Sequence, residues 1–317
     1  MAKKSRAPAP ANSAAPPKVM RLRRTQLAVP GISEKMLTKA AGSAADHVFC
    51  DLEDAVAPAA KLMARNTTID ALNSLDWGKS VRCVRVNDVG TQWCHEDIIT
   101  IVEQAGENLD TIMLPKPRTA SDVQFVDKLL SQLEMKLGLK RRIGLEVLIE
   151  EVEAMQNLAA IANSCARLEA MIFGLGDYAA AQGMVVENIG QADSYPGDIF
   201  HYPRYQIIIA ARAAGIDAVD GPFADFKNEA GYREESMRAR ALGMVGKWAI
   251  HPAQIAPALE VFSPSQKEVD FAREIIAVYE KAVGEGIGSV AHEGVMVDAA
   301  SARLFQNTIN RANLIGL

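Results

Sequence analysis

The chain has 317 residues, 49% of them hydrophobic, with a formal net charge of -5. That size allows a full buried core, and one α/β barrel of roughly 250 residues plus an appendage would account for it. The acidic balance argues against a nucleic-acid surface but leaves room for a local basic pocket that takes an anionic small molecule. No stretch reaches the roughly 20 apolar residues needed to cross a membrane. Cys50, Cys83, Cys94 and Cys165 are scattered, with neither zinc spacing nor the density of a secreted disulfide framework, so a cytoplasmic location is expected.

Residues 1–20 are rich in Ala and Pro and are expected to form a disordered tail. They lack the apolar segment of a secretory signal, and Pro8, Pro10, Pro16 and Pro17 would spoil the amphipathic helix of a transit peptide. From Leu22 onward, short apolar runs alternate with helical patterns, as in repeated βα units. Eight runs are predicted as strands: 26–29, 47–52, 81–86, 111–114, 143–149, 170–173, 218–219 with flanks, and 247–250. Helical spacing marks 59–75, 120–137, 152–162, 202–214 and 231–242. Eight such units predict a closed (β/α)8 TIM barrel over residues 21–262. The alternative is a doubly wound open sheet, whose dinucleotide-binding version is disfavoured because no Gly-x-Gly-x-x-Gly follows the first strand. Residues 263–317 read as a helical extension: a long helix capped by the serine before it, a glycine-rich turn at 284–288, a short segment at 294–297 and a last helix from Asp298. It is too small to fold alone and must pack on the barrel or on a neighbouring subunit.

The strand ends are unusually polar. Asp51, Glu53 and Asp54 follow the second strand, Arg85 and Asn87 end the third, and Lys116 follows the fourth; Glu150, Asp177, Asp220 and His251 continue the series. Parallel barrels place their chemistry at this rim. Glu150 closes the fifth run and Asp177 follows the turn Gly174-Leu175-Gly176, so two carboxylates can converge on a hard divalent cation, read here as magnesium. A 2-hydroxy or 2-oxo acid would chelate in the positions left open. Arg85 can stabilise a developing oxyanion, and a salt bridge to Glu53 or Asp54 would support it. His251 serves equally well as a structural hydrogen-bonding group and is not taken as the base. Glu151 and Glu153 suit a helix N-terminus, and the glycines around Leu175 allow close backbone approach to a ligand.

Residues 27–31 (Leu-Ala-Val-Pro-Gly), 51–56 (Asp-Leu-Glu-Asp-Ala-Val), 85–87, 114–116, 174–177, 220–223 and 246–252 (Gly-Lys-Trp-Ala-Ile-His-Pro) together resemble the citrate lyase β-subunit-like, or HpcH/HpaI aldolase, superfamily. Within it, residues 221–226 and 246–252 look most like the malyl-CoA and β-methylmalyl-CoA lyases. The resemblance implies a magnesium-dependent barrel, with manganese as a possible substitute, that cleaves a CoA thioester into an acyl-CoA and glyoxylate. By motif it assigns Glu150 and Asp177 to the metal and Arg85 to the substrate. Ala28, Gly176, Asp177, Ile250 and His251 become substrate- or CoA-contacting candidates. Asp298 matches a catalytic lid aspartate donated by an adjacent subunit, so a homotrimer or homohexamer is implied; otherwise Asp298 would simply cap the last helix.

Two departures bear on specificity. Ile32-Ser33-Glu34 follows Gly31 where the family often has a basic residue, leaving Lys39 as the matching candidate for a CoA phosphate. The segment 190–203 looks shorter than in the most similar malyl-CoA lyases. Hydrolysis of malyl-CoA, cleavage of citramalyl-CoA, and a citrate-lyase-type subunit acting on an acyl-carrier thioester remain as alternatives. One methyl group is worth only about 1–3 kcal/mol in a pocket.

Overall fold

The computed structural model describes residues 19–186 and 197–317. Residues 1–18 of the tail expected over 1–20, and residues 190–196 of the 190–203 segment, lie outside the described residues. Eight parallel strands, β1 (Thr25–Pro30), β2 (His47–Asp51), β3 (Val81–Arg85), β4 (Thr111–Leu114), β5 (Gly144–Ile149), β6 (Leu168–Phe173), β7 (Asp217–Val219) and β8 (Lys247–Ala249), lie in the order β7-β6-β5-β4-β3-β2-β1-β8. A bridge between Asp220 and Lys247 joins the two ends. Asp220 N donates to Gly246 O at 2.8 Å and Trp248 N to Asp220 O at 2.9 Å. The (β/α)8 barrel predicted from the alternating pattern is thus present.

Strands β4, β5 and β6 are buried along their whole length, as expected for parallel strands covered on both faces. Alternation sorts their side chains into layers. Phe49, Cys83, Met113, Leu148, Ile172, Val219 and Trp248 form one apolar cluster, with Ala28 packed against it. Each of the eight strands contributes one of these residues, and together they make the middle of the barrel interior. Two positions earlier along β1, β2, β5 and β7 are Gln26, His47, Glu146 and Asp217 at the amino ends of the strands. Two positions later along β2, β3 and β5 are Asp51, Arg85 and Glu150 at the carboxyl ends.

The lower layer is a charged floor. Arg23, 1% exposed, donates to Glu146 Oε1 at 3.0 Å, Asp217 Oδ2 at 3.2 Å and Glu169 Oε2 at 2.5 Å. Glu146 also accepts from Gln26 at 2.7 Å and faces His47 Nε2 at 3.1 Å. Burial would raise the Glu146 pKa, but His47 and Arg23 outweigh it and hold the carboxyl well below its usual range.

Several local details differ from the sequence reading. The 152–162 helix is broken at Asn157 into Val152–Gln156 and Leu158–Ala162. Gly174 is not part of an open turn but the N-cap of a helix, Leu175–Gln182, so Gly176 and Asp177 stand in its first turn. Asp220 does not face the rim. It is fully buried behind the barrel wall, accepting from Arg204 at 2.8 Å and Lys247 at 2.6 Å.

Helix Gln266–Gly284 starts at a capping box formed by Ser265 and Glu268. An antiparallel hairpin, β9 (Ser289–His292) and β10 (Val295–Asp298), leads into the last helix, Ala299–Ile315. That helix packs beside Gln266–Gly284, with Phe271 and Phe305 edge to face at 5.3 Å. Its far end meets the amino ends of the strands, where Arg311 donates to Asp217 at 2.9 Å. Among the described residues no helix is long and apolar enough to cross a membrane.

Candidate active site

Arg85 is the last residue of β3 and is 7% exposed. Its Nε and Nη2 donate to the two oxygens of Asp51 at 2.8 and 2.5 Å, and Nη1 lies 3.2 Å from Glu53 Oε2. The guanidinium carbon stands 5.4 Å from the Trp248 ring and 5.8 Å from the Phe49 ring, so the middle apolar layer supports the charge from below. Burial alone would lower the Arg85 pKa; Asp51 and Glu53 more than reverse this and keep the cation permanent.

Glu150 is 1% exposed and accepts from Lys116 N at 3.1 Å through Oε1. A β-carbon on Gly174 would come within 2.5 Å of its Oε2, so only glycine leaves room for this carboxylate. Burial, with Glu53 and Asp177 nearby, pushes the Glu150 pKa well above the carboxylate range despite Arg85 and Lys116. Asp177 presents its side chain half-exposed at 49%. Lys116 takes a left-handed φ of 50° and turns its ammonium into the same cluster. It pairs closely with Glu53, with Asp54 at 3.0 Å, and reaches Asp177 at 4.0 Å. Burial would lower its pKa, and Glu150 and Glu53 raise it.

This cluster suits a divalent cation. Glu150 is buried among more carboxylates than the cations in reach can satisfy. Glu53 Oε2 is buried without an aligned hydrogen bond among the described residues. Glu150 and Asp177 supply hard oxygen donors, the chemistry that magnesium prefers.

The structure brings Arg85, Glu150, Asp177, Glu53 and Asp54 together at the carboxyl ends of the strands. It does not bring in Lys39, which is exposed in the last turn of helix Glu34–Ala41. Nor does it bring in Asp298 of the same chain. Asp298 Oδ1 accepts from Ala300 N at 2.9 Å and Ser301 N at 3.0 Å as the N-cap of the last helix, which docks at the opposite end of the barrel. His251 Nδ1 accepts from Ala253 N at 3.1 Å, and its ring stacks on Phe226 at 4.7 Å. Ile250 is 39% exposed just beyond β8, and Ala28 lies partly buried on β1. Glu151 stands at the N-cap position of the following short helix, but its side chain turns away from the helix end to accept from Arg118 at 3.0 Å.

The HpcH/HpaI aldolase/citrate lyase family matches residues 24–252, which span all eight barrel strands. The chain belongs to this family. An L-malyl-CoA/β-methylmalyl-CoA lyase of Cereibacter sphaeroides is 41% identical over 310 residues, covering 95% of this chain and 98% of that protein. A protein of the same name from Rhodobacter capsulatus is 42% identical over 94% of this chain and 97% of its own length. A (3S)-malyl-CoA thioesterase of Cereibacter sphaeroides is 35% identical over 92% and 95%. Among solved structures, the CitE protein of Mycobacterium tuberculosis in complex with magnesium, acetoacetate and coenzyme A is 29% identical. It superposes with a TM-score of 0.73, covering 91% of this chain and 97% of that one.

Two members of this cluster were not singled out by sequence reasoning. Asp51 appeared only as one of several strand-end acids, yet it is the register partner of Arg85, and pairing the two predicted strands would have exposed the contact. Lys116 was noted without a role. Its ammonium enters the cluster because its backbone turns left-handed, which the residue type does not advertise.

Proposed function

We propose that the protein is a magnesium-dependent carbon–carbon lyase. In this reading it cleaves malyl-CoA reversibly to acetyl-CoA and glyoxylate, and β-methylmalyl-CoA to propionyl-CoA and glyoxylate. The observation that carries the proposal is the buried carboxylate of Glu150, which meets Asp177 across Lys116 at the rim that also holds the fixed cation Arg85. The near full-length similarity to lyases of that name adds support.

Glu150 and Asp177 would hold magnesium, or manganese in its place. When bound, the ion polarises the hydroxyl and carboxylate oxygens of the glyoxylate half. Loss of the hydroxyl proton to solvent at the open rim sends the O–H electron pair into the forming carbonyl, the carbon–carbon bond breaks, and the acyl thioester leaves as an enolate. Arg85 spends Nε and one Nη2 hydrogen on Asp51 and turns Nη1 toward Glu53, and an N–H left over would meet the enolate oxygen. Asp51 and Glu53 keep the guanidinium from following the substrate, so the charge is in place before the oxyanion forms. Asp298 of another copy in a homotrimer or homohexamer would give the acyl carbon its proton, and would remove it in the condensation direction. Its Oδ1 is committed to the helix cap, which leaves Oδ2 for that exchange.

Release of CoA by hydrolysis is a second reading, favoured by the 35% identical thioesterase. The primary reading is tested by Glu150→Ala. Loss of magnesium-dependent glyoxylate release from a folded variant is expected; retained release would remove Glu150 from the metal site and overturn the assignment.

A further inference from the structure

The last helix has one buried residue, Ala312, in its 17 positions. A cavity of about 540 Å³ lies between the helix, at Leu304, Asn307, Thr308 and Arg311, and the segments flanking β8, at Met244, Val245 and Phe262. Contact with the barrel is concentrated at the far end, where Arg311 stands beside Ala312. Arg311 Nη2 reaches Asp217 Oδ1 at 2.9 Å, while Asp217 Oδ2 accepts from the fully buried Arg23. Arg23 in turn holds Glu146 at 3.0 Å. Asp217 therefore gives one oxygen to the helix and the other to the floor. The floor is anchored on its own side, since Arg23 pairs with three carboxylates on β5, β6 and β7.

We infer that Arg311 is a positioning residue that sets where the last helix, and with it Asp298, stands relative to its own barrel. The inference rests on the reading of Asp298 as a proton-transfer group acting in a neighbouring subunit. Thirteen residues separate Arg311 from Asp298, or roughly 20 Å of helix at about 1.5 Å per residue. A tilt of about 5° at the docked end thus moves the aspartate by roughly 2 Å. A displacement of about 1 Å in a reacting group can cost about 100-fold in rate. The side chain of Asp217 is 3% exposed and that of Arg311 25% exposed, so the pair is sheltered from most solvent screening. The neighbouring helix Gln266–Gly284 packs along the outer side, with Phe271 against Phe305, and among the described residues Arg311 alone ties the helix to the charged floor.

The test is R311M in the full chain, assayed with malyl-CoA and magnesium, alongside R311K and the partly polar R311Q in case R311M misfolds. The expected result for R311M and R311Q is a kcat lowered about 10- to 100-fold. Deuterium exchange into acetyl-CoA should slow in parallel. KM for malyl-CoA, the magnesium needed for half activation and the melting temperature should stay near wild type, and R311K should recover most of kcat. Unchanged kcat would overturn the inference. So would a loss matched by a raised KM or a lowered melting temperature, which would mark a merely structural role. D298N separates the two levels: if it leaves turnover intact, the proton-transfer reading itself fails. If D298N is inactive and R311M is normal, only the positioning role is lost.

Discussion

Asp51 and Arg85 are register partners on β2 and β3, and both oxygens of the aspartate receive N–H groups of the arginine at 2.8 and 2.5 Å. Asp51 spends the same oxygens on Glu53 N at 2.8 Å and Ala55 N at 3.1 Å. One carboxylate thus shapes the loop after β2 and aims the cation of β3. Fixing a charge beforehand is what makes it effective against an oxyanion, because nothing has to reorganise as the bond breaks.

Replacing Asp51 with Asn should therefore impair catalysis without touching substrate. The expected change is a kcat lowered about 10- to 100-fold with KM for the thioester changed far less, since the oxyanion contact is strongest in the transition state. Urea denaturation should show a loss of roughly 3–5 kcal/mol, because a buried arginine loses its principal partner.

Gly174→Ala would place a methyl group 2.5 Å from Glu150 Oε2 and 2.6 Å from Glu150 Cβ. Neither can yield without moving the carboxylate. The magnesium concentration for half-maximal activity should rise by about tenfold or more, read from a titration of activity, while the circular dichroism spectrum stays that of the wild type.

The barrel strands were legible because parallel strands covered on both faces read as short apolar runs, and β4 to β6 are of that kind. The rim was legible because carboxylates at strand ends have few structural reasons to be there. The floor was not. Glu146 and Glu169 lie inside strands whose apolar neighbours masked them, and their partner Arg23 precedes β1 in the chain. Nothing local signals that one arginine will meet carboxylates 123, 146 and 194 residues away. Strand β9 escaped notice for another reason: Ser289–His292 is short, partly polar and half-exposed, and only its pairing with β10 makes it a strand.

Acid sensitivity should trace to Asp110, at the amino end of β4. Burial would raise its pKa, but Arg82 and Arg141 outweigh that and hold it at about 2. A carboxylate depressed in the folded state contributes stability that is present above its unfolded pKa, roughly 3.9, and lost as pH falls toward 2. At roughly two pH units this is about 2–3 kcal/mol. D110N should be less stable than wild type at neutral pH by about that amount, and the gap should close between pH 4 and pH 2, as followed by urea midpoints.

The most direct measurement is a parallel assay of purified protein with malyl-CoA and magnesium, following glyoxylate as its phenylhydrazone and free thiol in the same samples. Glyoxylate without thiol, abolished by EDTA and restored by added magnesium, is the expected result for a metal-dependent carbon–carbon lyase. Thiol without glyoxylate, or glyoxylate release undiminished by EDTA, would contradict it.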